Sequence, residues 1–164
     1  MIAVDAYSKP QIALHWLIVV LVAAQFVSAG AMEQFFDKAE DARELAGFPT
    51  DPEAIAHVIG GGTILVLMLV RVGLRVAYGA PPPPPTLTRA LQLVSRATHY
   101  AFYLLLVTLP ATGMAALYIN SEAGDLHLLL KNVLLILIAA HIAGTLTHAF
   151  ILKDGVIRRM LPRL

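Results

Sequence analysis

The sequence contains no cysteine and few charged residues. Without a thiol, the 164-residue chain cannot form disulfide bonds, cysteine-ligated zinc sites, iron–sulfur clusters or covalent c-type haem linkages. Lys, Arg, Asp and Glu together make up 14% of the chain, against roughly 25% in an ordinary soluble domain. The net charge of +1 gives no indication of nucleic-acid binding. Any metal or cofactor must therefore be held by ligands other than thiolate.

Hydrophobic residues are correspondingly abundant and account for 58% of the chain. A globule of this size has too little interior to bury so much apolar side chain. Four apolar segments are each long enough to cross a bilayer core, which takes about 20 helical residues. We therefore predict an all-α, integral membrane four-helix bundle formed by one domain, residues 1–164. The helices are predicted at approximately residues 11–32, 54–78, 96–119 and 126–152.

The distribution of charge predicts how the bundle is oriented. Basic residues flank the first helix at its start, lie between the second and third, and follow the fourth, whereas the other connections are mainly acidic. Lys and Arg are enriched on the cytoplasmic side of membrane proteins. We therefore predict that both termini are cytoplasmic and that the acidic loops lie outside. The basic residues are Lys9, Arg75, Arg89, Arg96, Lys153, Arg158, Arg159 and Arg163.

All six histidines lie in or at the edge of the apolar segments. Ionisable groups at membrane depth are costly and usually mark a function. His127 and His141 are 14 residues apart, which is just under four helical turns and places them on nearly one face, about 21 Å apart. By depth, His57 matches His127 on the outer side, and His15 is the best match for His141 on the inner side.

Two imidazoles that face each other, without thiolate or carboxylate ligands, are typical of an iron porphyrin ligated on both faces. We therefore predict two non-covalent b-type haems. His57 and His127 are the predicted axial ligands of the outer haem iron, and His15 and His141 those of the inner one. His99 has no assigned role and could replace either inner ligand. A haem-free transporter or assembly protein, whose histidines relay protons, is the alternative from a different class.

Two further residues lie where they would support these haem sites, and two more lie near the inner surface of the membrane. Gly61 follows His57 by one turn, and its missing side chain would let a flat macrocycle approach the helix. Arg71 lies on that same face at the inner level, where it would neutralise a propionate of the inner haem. Arg75, one turn beyond, is predicted to snorkel to lipid headgroups. His148, near the aqueous edge, is predicted to hydrogen-bond a quinone carbonyl and move its proton, with a headgroup contact as the alternative.

Short groups of residues along nearly the whole chain match one known family. They are Tyr7-Ser8-Lys9-Pro10-Gln11-Ile12, Leu14-His15-Trp16, His57, Gly61, the Leu65 to Arg75 stretch, His99, Tyr103, Pro110, Gly113, His127, His141, His148, Lys153-Asp154-Gly155 and Arg158-Arg159-Met160-Leu161-Pro162. On these residues the chain resembles the bacterial cytochrome b561 family, four-helix di-haem membrane proteins that include the superoxide oxidase. The resemblance implies the same two axial pairs, a cytoplasmic quinone site that includes His148, and a place in the bacterial inner membrane.

The resemblance also implies an activity. In the superoxide oxidase, superoxide is oxidised on the periplasmic side and its electron passes through the haems to ubiquinone. We therefore expect electron transfer between a periplasmic donor and the quinone pool, with superoxide:ubiquinone oxidoreductase as the most specific form and no catalytic side chains beyond the haems. The alternative is a cytochrome b subunit whose acidic outer loop docks a periplasmic dehydrogenase or hydrogenase. The expected partners are thus membrane lipid, quinone, and either superoxide or a periplasmic redox protein.

Overall fold

The protein is a bundle of four long helices. The computed structural model describes residues 6–42, 47–84 and 87–161, and this part of the chain contains no strand. All four helices are long and apolar enough to cross a membrane, which confirms the predicted all-α membrane architecture. The helices are α1 (Lys9–Ala42), α2 (Pro52–Tyr78), α3 (Arg89–Tyr118) and α4 (Ala123–Leu146), followed by a π-helical segment (Thr147–Leu152) and a short 3₁₀ helix (Val156–Arg159).

Polar side chains satisfy the free N–H groups where three of the helices begin. Ser8 precedes α1, and its backbone N–H donates to Oε1 of Gln11, three residues later, as in a capping box. Asp51 accepts two backbone N–H groups of the first turn of α2, which Pro52 opens. Thr88 accepts one N–H at the start of α3. Each cap of this kind stabilises a helix by about 1 kcal/mol.

Two helices are longer than the apolar segments that predicted them. α1 continues past residue 32 to Ala42, and α3 begins at Arg89 rather than at residue 96. The added residues include Glu, Gln, Lys, Ala and Leu, which are strong helix formers with or without lipid. Apolar length therefore located the membrane-crossing part of these helices, whereas helix propensity and caps set their ends.

The helices pack in sequence order, α1 on α2, α2 on α3 and α3 on α4. Within the described residues, α1 and α4 form no extensive backbone interface. At one end, the Gln11 amide donates to the carbonyl of Gly79, joining the start of α1 to the end of α2. At the other, the N–H of Gly47 donates to the carbonyl of Leu117 at the end of α3. We call the first the basic end, where Lys9, Arg75, Arg89, Arg96 and Lys153 lie, and the second the acidic end, with Glu33, Asp37, Asp51, Glu53, Glu122 and Asp125.

Two small apolar cores hold the middle of the bundle. One is formed by the buried side chains of Ile18, Ile64 and Met68, contributed by α1 and α2. The other joins α3 to α4 through side chains that include Leu109 and Leu134. Many other large apolar side chains lie on the outside, as expected of a surface solvated by lipid. The cores therefore separate the two ends of the bundle, where the histidines lie.

Candidate functional site

His127 lies near the acidic end of α4 and packs tightly against α3. Its Nδ1 is 2.9 Å from the carbonyl oxygen of Leu109. Because a carbonyl can only accept, Nδ1 carries the ring proton and Nε2 keeps its lone pair. A Cβ atom on Gly113 would lie 3.3 Å from this ring, so a glycine there lets the imidazole lie close to α3. His127 is thus held in the tautomer that ligates a metal through Nε2.

His57 occupies the same end on α2, within electrostatic range of His127. Its Nδ1 is 2.9 Å from the hydroxyl oxygen of Ser28 on α1. That hydroxyl is also 3.1 Å from the carbonyl of Ala24, to which it donates its proton. The hydroxyl oxygen is therefore left to accept from Nδ1 of His57, and Nε2 of His57 is free as well. The two predicted outer ligands share one end and one tautomer.

The remaining four predicted inner-site residues come from four helices near the basic end. Arg71 of α2 donates to Nδ1 of His15 on α1 over 3.4 Å and to the carbonyl of Gln11 over 2.9 Å. His99 of α3 and His141 of α4 have ring centroids 5.8 Å apart. His15 lies within electrostatic range of both. The structure thus places three histidines at this end. His99 lies close enough to His141 to remain the alternative inner ligand.

A pocket beside this cluster is lined by two arginines and two tyrosines. Its lining residues are Tyr7, Gln11, Arg71, Arg75 and Tyr103. The Arg75 guanidinium lies 3.5 Å from the hydroxyl of Tyr7 and lines this pocket together with Arg71. Guanidinium and phenol groups are hydrogen-bond donors that suit a carboxylate. The open volume of this pocket is only about 10 Å³, but its side chains supply hydrogen-bond donors of the kind that an acidic group accepts from, next to the inner histidines.

A glutamine that the sequence analysis overlooked lies at Gly61. The side-chain amide of Gln25 on α1 covers Gly60 and Gly61, and a Cβ atom on Gly61 would be 3.7 Å from its Oε1. The amide thus covers the surface of α2 against which the outer haem is predicted to pack. The sequence feature that could have indicated this contact is the position of Gln25, a polar residue within the apolar stretch of α1. Gln25 is therefore the side chain that must move for a planar group to lie against Gly61.

Lys131 was also overlooked, although it is the only Lys or Arg within α4. It lies one turn beyond His127, is half-buried and is close enough to interact electrostatically with that imidazole. Among the described residues it has no carboxylate partner within 4.0 Å. A cation at this depth is costly unless it meets an anion or water. Lys131 therefore places positive charge beside the outer pair, at the acidic end.

His148 lies in the π-helical segment, beyond the inner cluster. Its Nδ1 is 2.6 Å from Oδ2 of Asp154, which follows the segment. Short π-helical segments occur often at functional sites. Asp154 was matched only as part of the Lys153-Asp154-Gly155 run, and no role was assigned to it. The predicted quinone residue therefore has a carboxylate partner that the sequence analysis missed.

The donor set distinguishes between kinds of metal site. Within the part of the chain that the structure describes, no group of three or more His, Asp or Glu side chains could hold a metal ion. Zinc sites use three or four protein ligands, whereas a haem iron already has four porphyrin nitrogens and needs only one or two. The free Nε2 atoms of His57 and His127, and the basic pocket near His15, fit a haem with its carboxylates.

Comparison with known proteins points to the same class. A family model described as Prokaryotic cytochrome b561 matches residues 6–163. The chain is 33% identical over 159 residues to cytochrome b562 of Cereibacter sphaeroides, covering 96% of each chain. It is 30% identical over 183 residues to the probable superoxide oxidase CybB of Yersinia pestis, again covering 96% of each. Cytochrome b561 homolog 1 of Escherichia coli is 26% identical over 185 residues, with 97% of this chain and 98% of the relative covered.

Proposed function

Because the chain belongs to the prokaryotic cytochrome b561 family, we propose that it binds two b haems and transfers electrons between a periplasmic donor and the quinone pool. The family makes it a membrane electron-transfer protein, and four apolar helices suit a multi-pass protein of the inner membrane. The observation that carries the proposal is the placement of histidines in two groups at opposite ends of one bundle. In our proposal the basic end, with both termini, faces the cytoplasm.

His57 and His127 would hold the outer haem iron through their Nε2 atoms. The hydrogen bonds of their Nδ1 atoms to Ser28 and Leu109 support this, because such partners fix the ring orientation and raise ligand basicity. When bound, the haems supply the reversible one-electron chemistry of iron. The chain orients the two imidazoles through the hydrogen bonds at Nδ1.

His15 and His141 would hold the inner haem iron. Ligation through Nε2 of His15 requires the ring proton on Nδ1, where Arg71 now donates a hydrogen bond. Arg71 must then find another acceptor, and a haem propionate would supply one. The roles proposed for His15 and Arg71 are therefore linked. Binding of the inner haem would release Arg71 from His15 and would also supply the propionate that Arg71 binds. His148 is proposed to exchange a proton with a quinone near this haem.

The haem content of the purified protein tests the proposal. Protein produced with an adequate haem supply and purified in mild detergent is expected to contain about two haems per chain, one for each histidine group. Its reduced-minus-oxidised spectrum should be of the b type, since no cysteine is available for covalent attachment. A colourless preparation with full helical circular dichroism would reject the cytochrome and favour a haem-free proton relay.

Superoxide is the proposed periplasmic donor, and one of the similar proteins is a probable superoxide oxidase. Carboxylates dominate the acidic end and repel an anion, so the approach needs a local positive charge. Lys131, beside His127, supplies one. Superoxide would give up one electron and leave as dioxygen, and a haem held by His57 and His127 would supply the one-electron acceptor.

Reduction of the oxidised protein by a superoxide pulse tests this donor. Lys131→Gln is expected to slow haem reduction by about fivefold at low salt, because one unit charge near the site is worth about 1 kcal/mol in water. Lys38→Gln is the matched control, since Lys38 lies at the acidic end on α1, and it should leave the rate unchanged. Stopped-flow absorbance at varied ionic strength measures both rates.

If superoxide reduces the wild-type haems no faster than the uncatalysed background, superoxide is not the donor. The acidic end then favours the second candidate, a cytochrome b subunit that docks a periplasmic dehydrogenase or hydrogenase. Carboxylates at that end, among them Glu33, Asp37, Glu122 and Asp125, would face a basic surface of such a partner.

A further inference from the structure

His148 and Asp154 form a short, largely buried hydrogen-bonded pair. The Nδ1 to Oδ2 distance is 2.6 Å, and the Asp154 side chain is only 5% exposed, against 21% for His148. A carboxylate oxygen can only accept, so His148 donates through Nδ1–H. The second ring nitrogen, Nε2, is therefore the atom left to meet a ligand at the partly open face of the ring.

The backbone is shaped to bring this carboxylate back to the histidine. After the π-helical segment, Lys153 adopts a left-handed conformation with φ of 50°, and Gly155 follows with φ of 74°. A left-handed residue with a side chain costs about 1–2 kcal/mol. Within this turn, Oδ1 of Asp154 accepts the backbone N–H of Val156, while Oδ2 holds His148. Both oxygens of Asp154 are thus engaged, one on the backbone and one on the imidazole.

The charges around the pair are otherwise basic. Asp154 is the only carboxylate at the basic end among the described residues, and the side chain that it contacts there is His148, not an arginine. Burial raises the pKa of Asp154, but the hydrogen bonds from His148 and from Val156 N–H outweigh it and leave the pKa below its ordinary value. The carboxylate therefore stays charged as the pH falls through the weakly acidic range. The basic groups on the surrounding elements are Lys9 on α1, Arg75 on α2, Arg96 on α3, and Lys153, Arg158 and Arg159.

The segment that carries Asp154 is tied to the rest of the basic end. The indole N–H of Trp16 donates to the carbonyl of Met160 over 2.8 Å. Arg159 donates to the carbonyl of Pro82 over 2.7 Å, in the connection between α2 and α3. Trp16 follows His15, and the two rings contact each other with centroids 5.5 Å apart. The segment that carries the pair is therefore anchored at the basic end, through Trp16 and Pro82, and is not a free tail.

We propose that Asp154 is a positioning residue for proton transfer between His148 and a quinone. The inference rests on the proposed function, in which His148 meets the quinone. Asp154 keeps the ring proton of neutral His148 on Nδ1 and stabilises the imidazolium once Nε2 is protonated. When the quinone gains electrons from the reduced cytochrome, the Nε2–H bond breaks and an O–H bond forms on the quinone oxygen. Neutral His148 then takes its next proton from cytoplasmic water.

The proposal is tested by reoxidation of the reduced protein with a short-chain ubiquinone in stopped flow. His148→Gln and Asp154→Asn are each expected to slow haem reoxidation about tenfold or more, since a positioned proton donor contributes 10²–10⁴-fold. The double variant should be no slower than His148→Gln alone, because Asp154 acts through His148. Arg158→Gln removes a charge from an exposed position of the same segment and should behave as the wild type. All variants must retain the wild-type haem spectrum.

A second readout does not depend on quinone. ¹⁵N NMR of histidine-labelled protein reports which nitrogen of His148 carries the proton. The wild type should show Nδ1–H, whereas Asp154→Asn should shift the ring toward Nε2–H, because an asparagine amide can donate to Nδ1.

The outcomes separate the two ideas. Additive slowing in the double variant, or an unchanged tautomer in Asp154→Asn, overturns the role of Asp154 while the quinone function stands. A wild-type protein whose haems no quinone reoxidises rejects the quinone function and with it the proton transfer, and the NMR result then decides only whether Asp154 orients the ring.

Discussion

Replacing His127 with leucine is expected to lower the haem content from about two to about one per chain, with the inner haem retained. Among the described residues, His127 and His57 are the only two histidines near the acidic end, so no other imidazole there could replace either of them as a ligand. A haem that keeps one axial histidine binds more weakly and changes its spin state and spectrum. Haem extraction against protein mass, together with the reduced-minus-oxidised spectrum, measures the loss.

His57→Leu should give the same result, and the double variant should lose no more than either single one, since both remove one site. The matched control is His148→Leu, which removes an imidazole from the same continuous helical run as His127 and should keep both haems. Loss of both haems from His127→Leu, or of neither, would contradict the proposed outer pair.

Replacing His15 with leucine is expected to remove the inner haem, whereas replacing His99 with leucine should leave both haems bound. The inner cluster holds three imidazoles, and an iron bound on both faces uses two of them. His15 adjoins Arg71, whose guanidinium is placed to receive a propionate. His99 instead donates from Nδ1 to the carbonyl of Ser95, one turn back on its own helix. The haem content of the two purified variants distinguishes these roles.

The reverse result would assign the inner iron to His99 and His141, whose rings are already 5.8 Å apart. His141→Leu should remove the inner haem under either assignment, so it serves as the positive control. A His15→Leu protein that keeps two haems with unchanged spectra would therefore reject our inner pair without affecting the outer one.

Much of the architecture follows from simple regularities in the chain. Four apolar segments of bilayer length could be read directly, because lipid selects for apolar side chains all around a helix. The separation of His127 from His141 placed them on one face, because an α-helix repeats every 3.6 residues. Matching depths then predicted which histidines on other helices share their level. These are short-range rules, and they need no knowledge of side-chain packing.

Other features depend on contacts between distant segments. The amide of Gln25 lies over Gly61 only because α1 packs on α2, and nothing local to either residue indicates it. Arg75 shares a pocket with Tyr7, Gln11 and Tyr103, which come from segments that are far from it in the sequence. The extension of α1 to Ala42 was missed because hydropathy reports on lipid and not on helix propensity.

The amino-acid sequence alone is enough to predict an all-α membrane protein of four helices, with histidines at two levels and no thiol for any cofactor. Which nitrogen atoms those histidines leave free depends on the packed bundle, since the proton position on each ring depends on what its Nδ1 contacts. Leu109 and Ser28 set the rings of His127 and His57 in this way. Asp154 reaches His148 through a left-handed turn that no periodic pattern encodes. The physical reason is that hydropathy and helical period are local properties, whereas hydrogen-bond partners across a bundle exist only once the helices have packed.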